Sequence, residues 1–502
     1  MDTEVNNTHG APPGDVGPAP ARRRGPVHRA SAGLRRVWWL LPAIAAAVTA
    51  GVHIPVSASN LVLAHPSEGL ICTEGATKTV GTTTTRSYLL TARDGYITTP
   101  DGNSIYMWSY ANGDQGFQYP GPFLCANEGD QVSVTLRNSL PLLVNQVTHL
   151  KDVPVPTSII FTGVPGVKVD GALSQPETAT GSLSKAAAPG GTVTYTFTAG
   201  HPGTFTYESG TDPQLQVQMG MVGGLVVRPS TACTATTHCR NAYDNTFSRY
   251  DSAHEYVHLL SEVDPDLHHW VEIGHGTFDW SKYIARYYMI NGRSFPDTIA
   301  PNGVSNLPGQ PYGSLVHVQP RNTDSASADF NPDPSLVRYI NAGPVAYPFH
   351  PHSNHESTVG VDGHELVTAT NADASIERFD TNVAPGQTVD SLFTWVDAQN
   401  WQPNNGTSDP GNPVQVPVPS QQDRFEGPYW NGTPYLGDLK PVATGLTRYN
   451  ECGEFYHVAH SHALFQVTNF GFSGGGMLTM VRVDPPPSLQ NKNGVTCTVP
   501  GK

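Results

Sequence analysis

PGGTVTYTFTAGHPGTFTYESGTDPQLQVQMGMVGGLVVR, residues 189–228, decides the fold. In TVTYTFT (Thr192–Thr198) the apolar residues fall at every second position, which buries one face of a strand and exposes the other. The same alternation recurs in QVSVTLRN (Gln131–Asn138), SLVHVQ (Ser314–Gln319) and MLTMVRV (Met477–Val483). Such strands run from about Ser87 to Asp484.

The stretch also has an echo. Pro189-Gly190-Gly191-Thr192-Val193 matches Pro385-Gly386-Gln387-Thr388-Val389, an offset of 385 − 189 = 196. Gly203-Thr204-Phe205 matches Gly453-Glu454-Phe455, an offset of 453 − 203 = 250. Gly223-Gly224-Leu225 matches Gly475-Gly476-Met477, an offset of 475 − 223 = 252. The jump of 250 − 196 = 54 implies an insertion in the second copy, at about 398–450, rich in Asn, Gly, Pro and Gln as surface excursions are. The expected organisation is all-β: two related β-sandwich domains, at about 85–230 and 250–486.

Composition agrees. Of 502 residues, 50 are Gly and 44 Pro, and only 14% are charged, against about 25% in an average soluble domain. This argues against a helical bundle and for strands joined by turns. With 8 Trp, 20 Tyr and 17 Phe there is material for real cores, so wholesale disorder is excluded. A net charge of −14 speaks against nucleic acid as a partner, since that needs clustered Lys and Arg.

Residues 1–36 are rich in Pro, Gly and Arg and read as disordered. They are followed by the uncharged run VWWLLPAIAAAVTAGV (Val37–Val52), preceded by Arg35-Arg36 and followed by the small-residue site Val56-Ser57-Ala58. Together these resemble an export signal ending near residue 58, and LRRVWW resembles a twin-arginine signal; an uncleaved membrane anchor is the alternative. Secretion into an oxidising compartment is expected. The six cysteines are scattered without CxxC spacing, which points to structural disulfides, with Cys233 and Cys239 as the first expected pair.

Four segments resemble the multicopper oxidase family, whose domains are Greek-key cupredoxin sandwiches. They are YPGPFLCANEGDQVSVTLRNSLP (Tyr119–Pro141), TSIIFTG (Thr157–Gly163), HPGTFTYESG…QMGMVGGLVV (His201–Val227), and the pair YPFHPHSNH (Tyr347–His355) with GEFYHVAHSHALFQ…GGM (Gly453–Met477). Having two domains makes the chain most similar to two-domain laccases. The resemblance implies copper, oxidoreductase chemistry and, by analogy with two-domain relatives, a homotrimer whose site lies between subunits.

The ligand positions depart from the family. Where its first domain supplies four His to the trinuclear cluster, this chain has Ile160, Thr162, Glu208 and Gly210. Where its blue type 1 copper takes His, Cys and His, this chain has Tyr347, Ser461 and Gln466. Serine offers no thiolate. Met477, near the axial position, reads as core packing.

His350, His352, His460 and His462 match the second domain's cluster ligands. Residues i and i+2 of a strand share a face, so these are two same-face pairs that can converge on one ion. Copper is the expected metal, with zinc, iron or manganese as alternatives. Glu208, at the family's cluster surface, is the candidate fifth ligand or the partner that fixes a His tautomer, with an interface salt bridge or a strand-end hydrogen bond as the structural alternative. Asp212 is a weaker second choice. His355, His364 and His457 read as structural or solvated, and His268, His269 and His275 as a surface loop.

Three functions are compatible with this pattern: an exported oxidoreductase acting on small molecules or metal ions without a type 1 site, a non-enzymatic scaffold for metal buffering or envelope binding, and a metal-dependent hydrolase. The last lacks an assignable general base beyond Glu208.

Overall fold

A computed structural model describes residues 68–396, save 146, 179–180, 237, 276, 328–329 and 353–354, and residues 455–483. Two short strands, Tyr429–Trp430 and Lys440–Pro441, lie between. The export signal or anchor, Cys452, Cys497 and the bulk of the expected insertion lie outside the described residues. Among the described residues no helix is long and apolar enough to cross a membrane.

The fold is all-β, with two cupredoxin-like Greek-key sandwiches. In the first, Ser104–Asn112, Thr83–Thr98, Gln131–Asn138 and Thr192–Thr198 lie side by side in one sheet, and Leu124–Asn127, Val222–Arg228, Gly203–Glu208 and Ile160–Phe161 in the other. Leu90, Val134 and Tyr195 of one sheet meet Leu124, Phe205, Tyr207 and Leu225 of the other in a buried core. The second sandwich repeats this order. Tyr287–Ile290, Glu255–Val263, Ser335–Asn341 and Thr388–Phe393 form one sheet; Val316–Val318, Leu478–Val483, Phe455–Ser461 and Tyr347–Pro351 form the other. Even the parallel pairings recur: Thr83–Thr98 with Gln131–Asn138 corresponds to Glu255–Val263 with Ser335–Asn341.

Two asparagines show how local chemistry is reused. Asn138 Nδ2 donates to the carbonyls of Val155 and Ala187 while its own carbonyl accepts from Gly190 N. Asn341 Nδ2 donates to Val345 and Val383, and its carbonyl accepts from Gly386 N. Gly190 and Gly386 turn with φ of 75° and 73°, which a side chain would disfavour.

The ladders also correct the repeat offsets. Glu208 pairs with Ile160 as His460 pairs with His350, an offset of 460 − 208 = 252 for this strand rather than 250. Tyr207 faces Gly223 whereas Ala459 faces Thr479, so the last strand is offset by 479 − 223 = 256 rather than 252. Short glycine motifs mark where the chain turns; cross-strand pairing fixes the register.

A third apolar core, with Met107, Tyr119, Phe123 and Val222 from one sandwich and Val257, Leu259, Met289 and Ile340 from the other, joins the two. Beside it lies a buried ionic joint. Arg338 Nε donates to Glu255 at 2.9 Å, and Nη1 donates to Thr204 Oγ1 of the first sandwich at 3.0 Å and lies 3.2 Å from Asp390. Asp390 also accepts from Thr204 and from Tyr243 Oη.

Cys233 and Cys239 form the expected disulfide, and Cys72 bonds Cys125. The DLHHW segment is not a surface loop. Asp264 caps a helix, Pro265–Glu272, whose Leu267, His268 and Val271 are buried. His268 Nδ1 donates to the Tyr106 carbonyl at 2.5 Å, and burial holds its pKa down at about 4. His275 stacks on Trp270.

Candidate metal centre

The four histidines come together where two antiparallel strands of the second sandwich meet. His350 faces His460 directly in the ladder. Backbone bonds carry the extended geometry past both strand ends: His352 N donates to Val458 O at 3.0 Å, and His462 N to Pro348 O at 2.7 Å. Ring centroids lie 4.8 Å apart for His350–His352, 5.2 Å for His350–His462 and 5.0 Å for His352–His460.

Tautomers follow from the partners. His350 Nδ1 lies 2.5 Å from the Phe379 carbonyl, and His460 Nδ1 2.7 Å from the Ser461 carbonyl. A carbonyl only accepts, so both Nδ1 atoms carry hydrogen and both Nε2 atoms present lone pairs. His460 Nε2 lies 2.9 Å from His352 Nε2. With His460 Nε2 presenting its lone pair, His352 Nε2 donates its hydrogen there unless a cation takes that hydrogen's place. Burial, then the neighbouring imidazoles of His350, His460 and His462, depresses the pKa of His352. Burial also depresses that of His460, with the Ser461 carbonyl opposing. Both effects favour the neutral ring that ligates metal.

The cluster is paired rather than closed. Among the described residues, the group that brings three potential donor atoms within 4.8 Å of one another is Cys72, Glu74 and Cys125. There the two cysteines are a disulfide and offer no thiolate. His350 and His462 stand back from the His352–His460 contact.

Glu208 ends the strand Gly203–Glu208, opposite Ile160. Burial raises its carboxyl pKa, and a hydrogen bond from Thr162 partly offsets this. Within one chain the structure does not join it to the histidines. The first sandwich's equivalent row is filled instead: a Cβ added at Gly210 would lie 2.7 Å from Ile160 Cγ2 and 3.2 Å from Ser158 Oγ. Behind it Ser158, Ser182 and Thr211 share hydroxyl bonds of 2.8–3.0 Å.

A carboxylate that the sequence motifs do not mark lies beside the histidines. Tyr347–Phe349 pairs with Thr381–Val383, and Asp380 occupies the bend just before that strand, next to Phe379, whose carbonyl meets His350 Nδ1. Burial raises its carboxyl pKa, and the nearby His350, His462 and Arg378 pull it back. Its Oδ1 is buried without a hydrogen-bond partner.

The positions of the family's type 1 copper are bonded among themselves and to the core. Ser461 Oγ donates to Gln466 Oε1, and Ser461 N to the Met477 carbonyl at 3.0 Å. Tyr347 Oη donates to Glu262 at 3.1 Å, a carboxylate that also accepts from Tyr283. Ser461, Tyr347 and Met477 are all fully buried. His457 packs on Trp395, and His355 pairs with Glu377 on the surface.

Residues 96–232 match the sequence profile of the multicopper oxidase family. No curated protein matches the chain. Among solved structures, the chain is similar to the multicopper oxidase mgLAC at 16% identity, covering 82% of this chain and 88% of that one, with a TM-score of 0.48. It is similar to the blue copper oxidase from Nitrosomonas europaea at 17% identity, covering 82% and 92%, TM-score 0.48. For the copper nitrite reductase from the same organism the values are 20%, 62% and 86%, and 0.40. Over residues 96–232, then, the likeness to the multicopper oxidase family that the motifs suggest is borne by the sequence itself.

Proposed function

We propose that this chain is an exported cupredoxin-type protein that holds one transition-metal ion, copper first, through His350, His352, His460 and His462. The observation that carries this reading is the 2.9 Å approach of His352 Nε2 to His460 Nε2, with the Nδ1 atoms of His350 and His460 held by backbone carbonyls. Two nitrogens bound tetrahedrally to one ion at about 2.0 Å stand about 3.3 Å apart, so modest ring rotation accommodates an ion there. Zinc, iron and manganese are the alternatives. The chain has no type 1 blue site, because Ser461 gives a hydroxyl already spent on Gln466. A bound ion would supply one-electron redox chemistry or an activated water. The imidazoles bind and orient it, and the sandwich keeps them in the neutral state.

Export is supported by the residue 37–52 run after Arg35-Arg36 and by two disulfides, which suit an oxidising compartment. Assembly as a homotrimer, with Glu208 of one subunit facing the histidines of the next, is testable by sedimentation. Elemental analysis after copper loading tests the central reading. About one ion per chain without an intense blue band supports it. An absence of bound metal overturns it and favours the scaffold reading, which rests on the incomplete convergence of the four rings.

A further inference from the structure

We propose that the cleft between the first sandwich and the segment leading to the second binds a basic amino acid, with its carboxylate on Arg240 and an ammonium on Glu128. None of the four histidines lines this cleft.

The cleft has a volume of about 690 Å³, inside the range of about 300–1,000 Å³ common for small-molecule sites. Glu74, Arg86, Glu128 and Arg228 line it from the first sandwich, and Arg240 and Asn241 from the connecting segment. So polar a wall suits a hydrophilic ligand whose own charges find partners. The connecting segment is held in place there. Its strand Cys239–Asn241 pairs with Arg249–Asp251, and Cys239 is bonded to Cys233.

Most of the charge is matched within the chain. Arg86 pairs with Asp130 and Glu74. Arg228 donates to one oxygen of Glu255 at 3.0 Å, and Arg338 to the other at 2.9 Å. Arg240 is left over. It stands 3.9 Å from that occupied carboxylate, its side chain is 49% exposed, and among the described residues its guanidinium has no hydrogen-bond partner.

Two acids are left over as well. Glu128 accepts from Ser230 N and Oγ, and Asp244 stands beside it. Burial, then the like charge of Glu128, pushes the Asp244 carboxyl pKa up. Among the described residues neither acid has a salt bridge. One free cation near two acids is the complement of a ligand with one carboxylate and two ammoniums, which is a basic amino acid. The lining also holds an unmet donor and an unmet acceptor: Arg228 Nε and Asn241 Oδ1 are buried without partners, and Asn241 is only 7% exposed.

Calorimetric titration of the full chain with L-lysine tests this, alongside cadaverine, which keeps the two ammoniums and lacks the carboxylate. One lysine per chain is expected, bound at least about 10-fold more tightly than cadaverine, the difference of one charge-assisted hydrogen bond. Arg240→Gln should weaken lysine by about 10-fold or more and leave cadaverine unchanged. Glu128→Gln should weaken both. Circular dichroism checks that each variant is folded. No lysine uptake by the wild-type protein would overturn the assignment, with water filling the cleft. Equal affinity for lysine and cadaverine, or full affinity in Arg240→Gln, would overturn it by reducing the cleft to an acidic surface. Full affinity in Glu128→Gln would overturn it by placing the ammonium elsewhere.

Discussion

The two sandwiches share a strand order, parallel pairings and even an asparagine knot, yet they treat the same place on the sheet differently. In the first sandwich the cross-strand pair is Ile160 opposite Glu208; in the second it is His350 opposite His460. The first has packed its row shut, with Ile160 occupying the space a side chain at Gly210 would need. The second keeps four imidazoles, two of which, His352 and His460, meet at 2.9 Å. The backbone thus sets a row of positions on a sheet, and side chains decide whether that row is a core or a site.

The largest test concerns the buried charges of the second sandwich, which reach the first through Thr204. Arg338→Ala would leave Glu255 and Asp390 buried without their shared cation. Breaking such a pair costs about 3–5 kcal/mol. Denaturant unfolding should show a loss of that size. A loss under about 1 kcal/mol would mean that this charged cluster adds little to the stability of the second sandwich beyond its apolar core.

A second test compares two buried glutamates. Burial alone would raise both. Around Glu255, however, Arg228 and Arg338 more than offset burial and hold its carboxyl at about 2. Glu356 has the hydroxyls of Tyr339 and Thr381 and no cation beside it, and burial, helped by the like charge of Asp380, lifts it to about 7. The signs are opposite. Glu255 contributes stability above its unfolded value of 4.5, lost as pH falls toward 2. Glu356 favours the fold below 4.5, and that contribution is lost as pH rises through about 7. The second effect amounts to about 3 kcal/mol. Glu356→Gln should therefore gain stability relative to wild type as pH is raised from 4.5 to 7. Parallel pH profiles of the two proteins would refute this.

Next in size, His460→Ala should weaken copper binding by about 100-fold, or about 2.7 kcal/mol, as measured by competition with a chelator. Ile160→Ala, at the matching position of the first sandwich, should leave affinity unchanged. Equal losses would show that the two rows meet in one site, as they would in a trimer.

Much of this contrast was legible in the sequence, for physical reasons. Strand alternation announces the sheets, because every second side chain must be buried. The i, i+2 spacing of His350/His352 and His460/His462 announces two same-face pairs. Cys233 and Cys239 are six apart, so their meeting needs only a turn. Other features depend on register, which spacing does not encode. Asp380 lies 30 residues from His350 and becomes its neighbour only through pairing at Phe349 and Thr381. Cys72 meets Cys125 because Thr73 bridges to Leu124. His268 is a different miss: Asp264-Pro265 is a helix-start signal that places His268 on the buried side of a short helix.

The smallest test asks whether the first sandwich's row is closed by packing. At Gly210 a new Cβ would meet Ile160 Cγ2 at 2.7 Å and Leu183 Cβ at 3.4 Å. Overpacking of this kind costs about 1–3 kcal/mol. Gly210→Ala alone should therefore destabilise the protein. Ile160→Ala removes the Cγ2 methyl that stands in the way and should itself cost about 2 kcal/mol at this half-buried position. Combined, the two substitutions should cost less than their sum, because each relieves the strain or void the other creates. Additive losses would mean that the backbone yields and that Ile160 does not guard the space. The coupling would instead explain why a histidine at position 210 cannot simply be restored: the row would have to be reopened at Ile160 first.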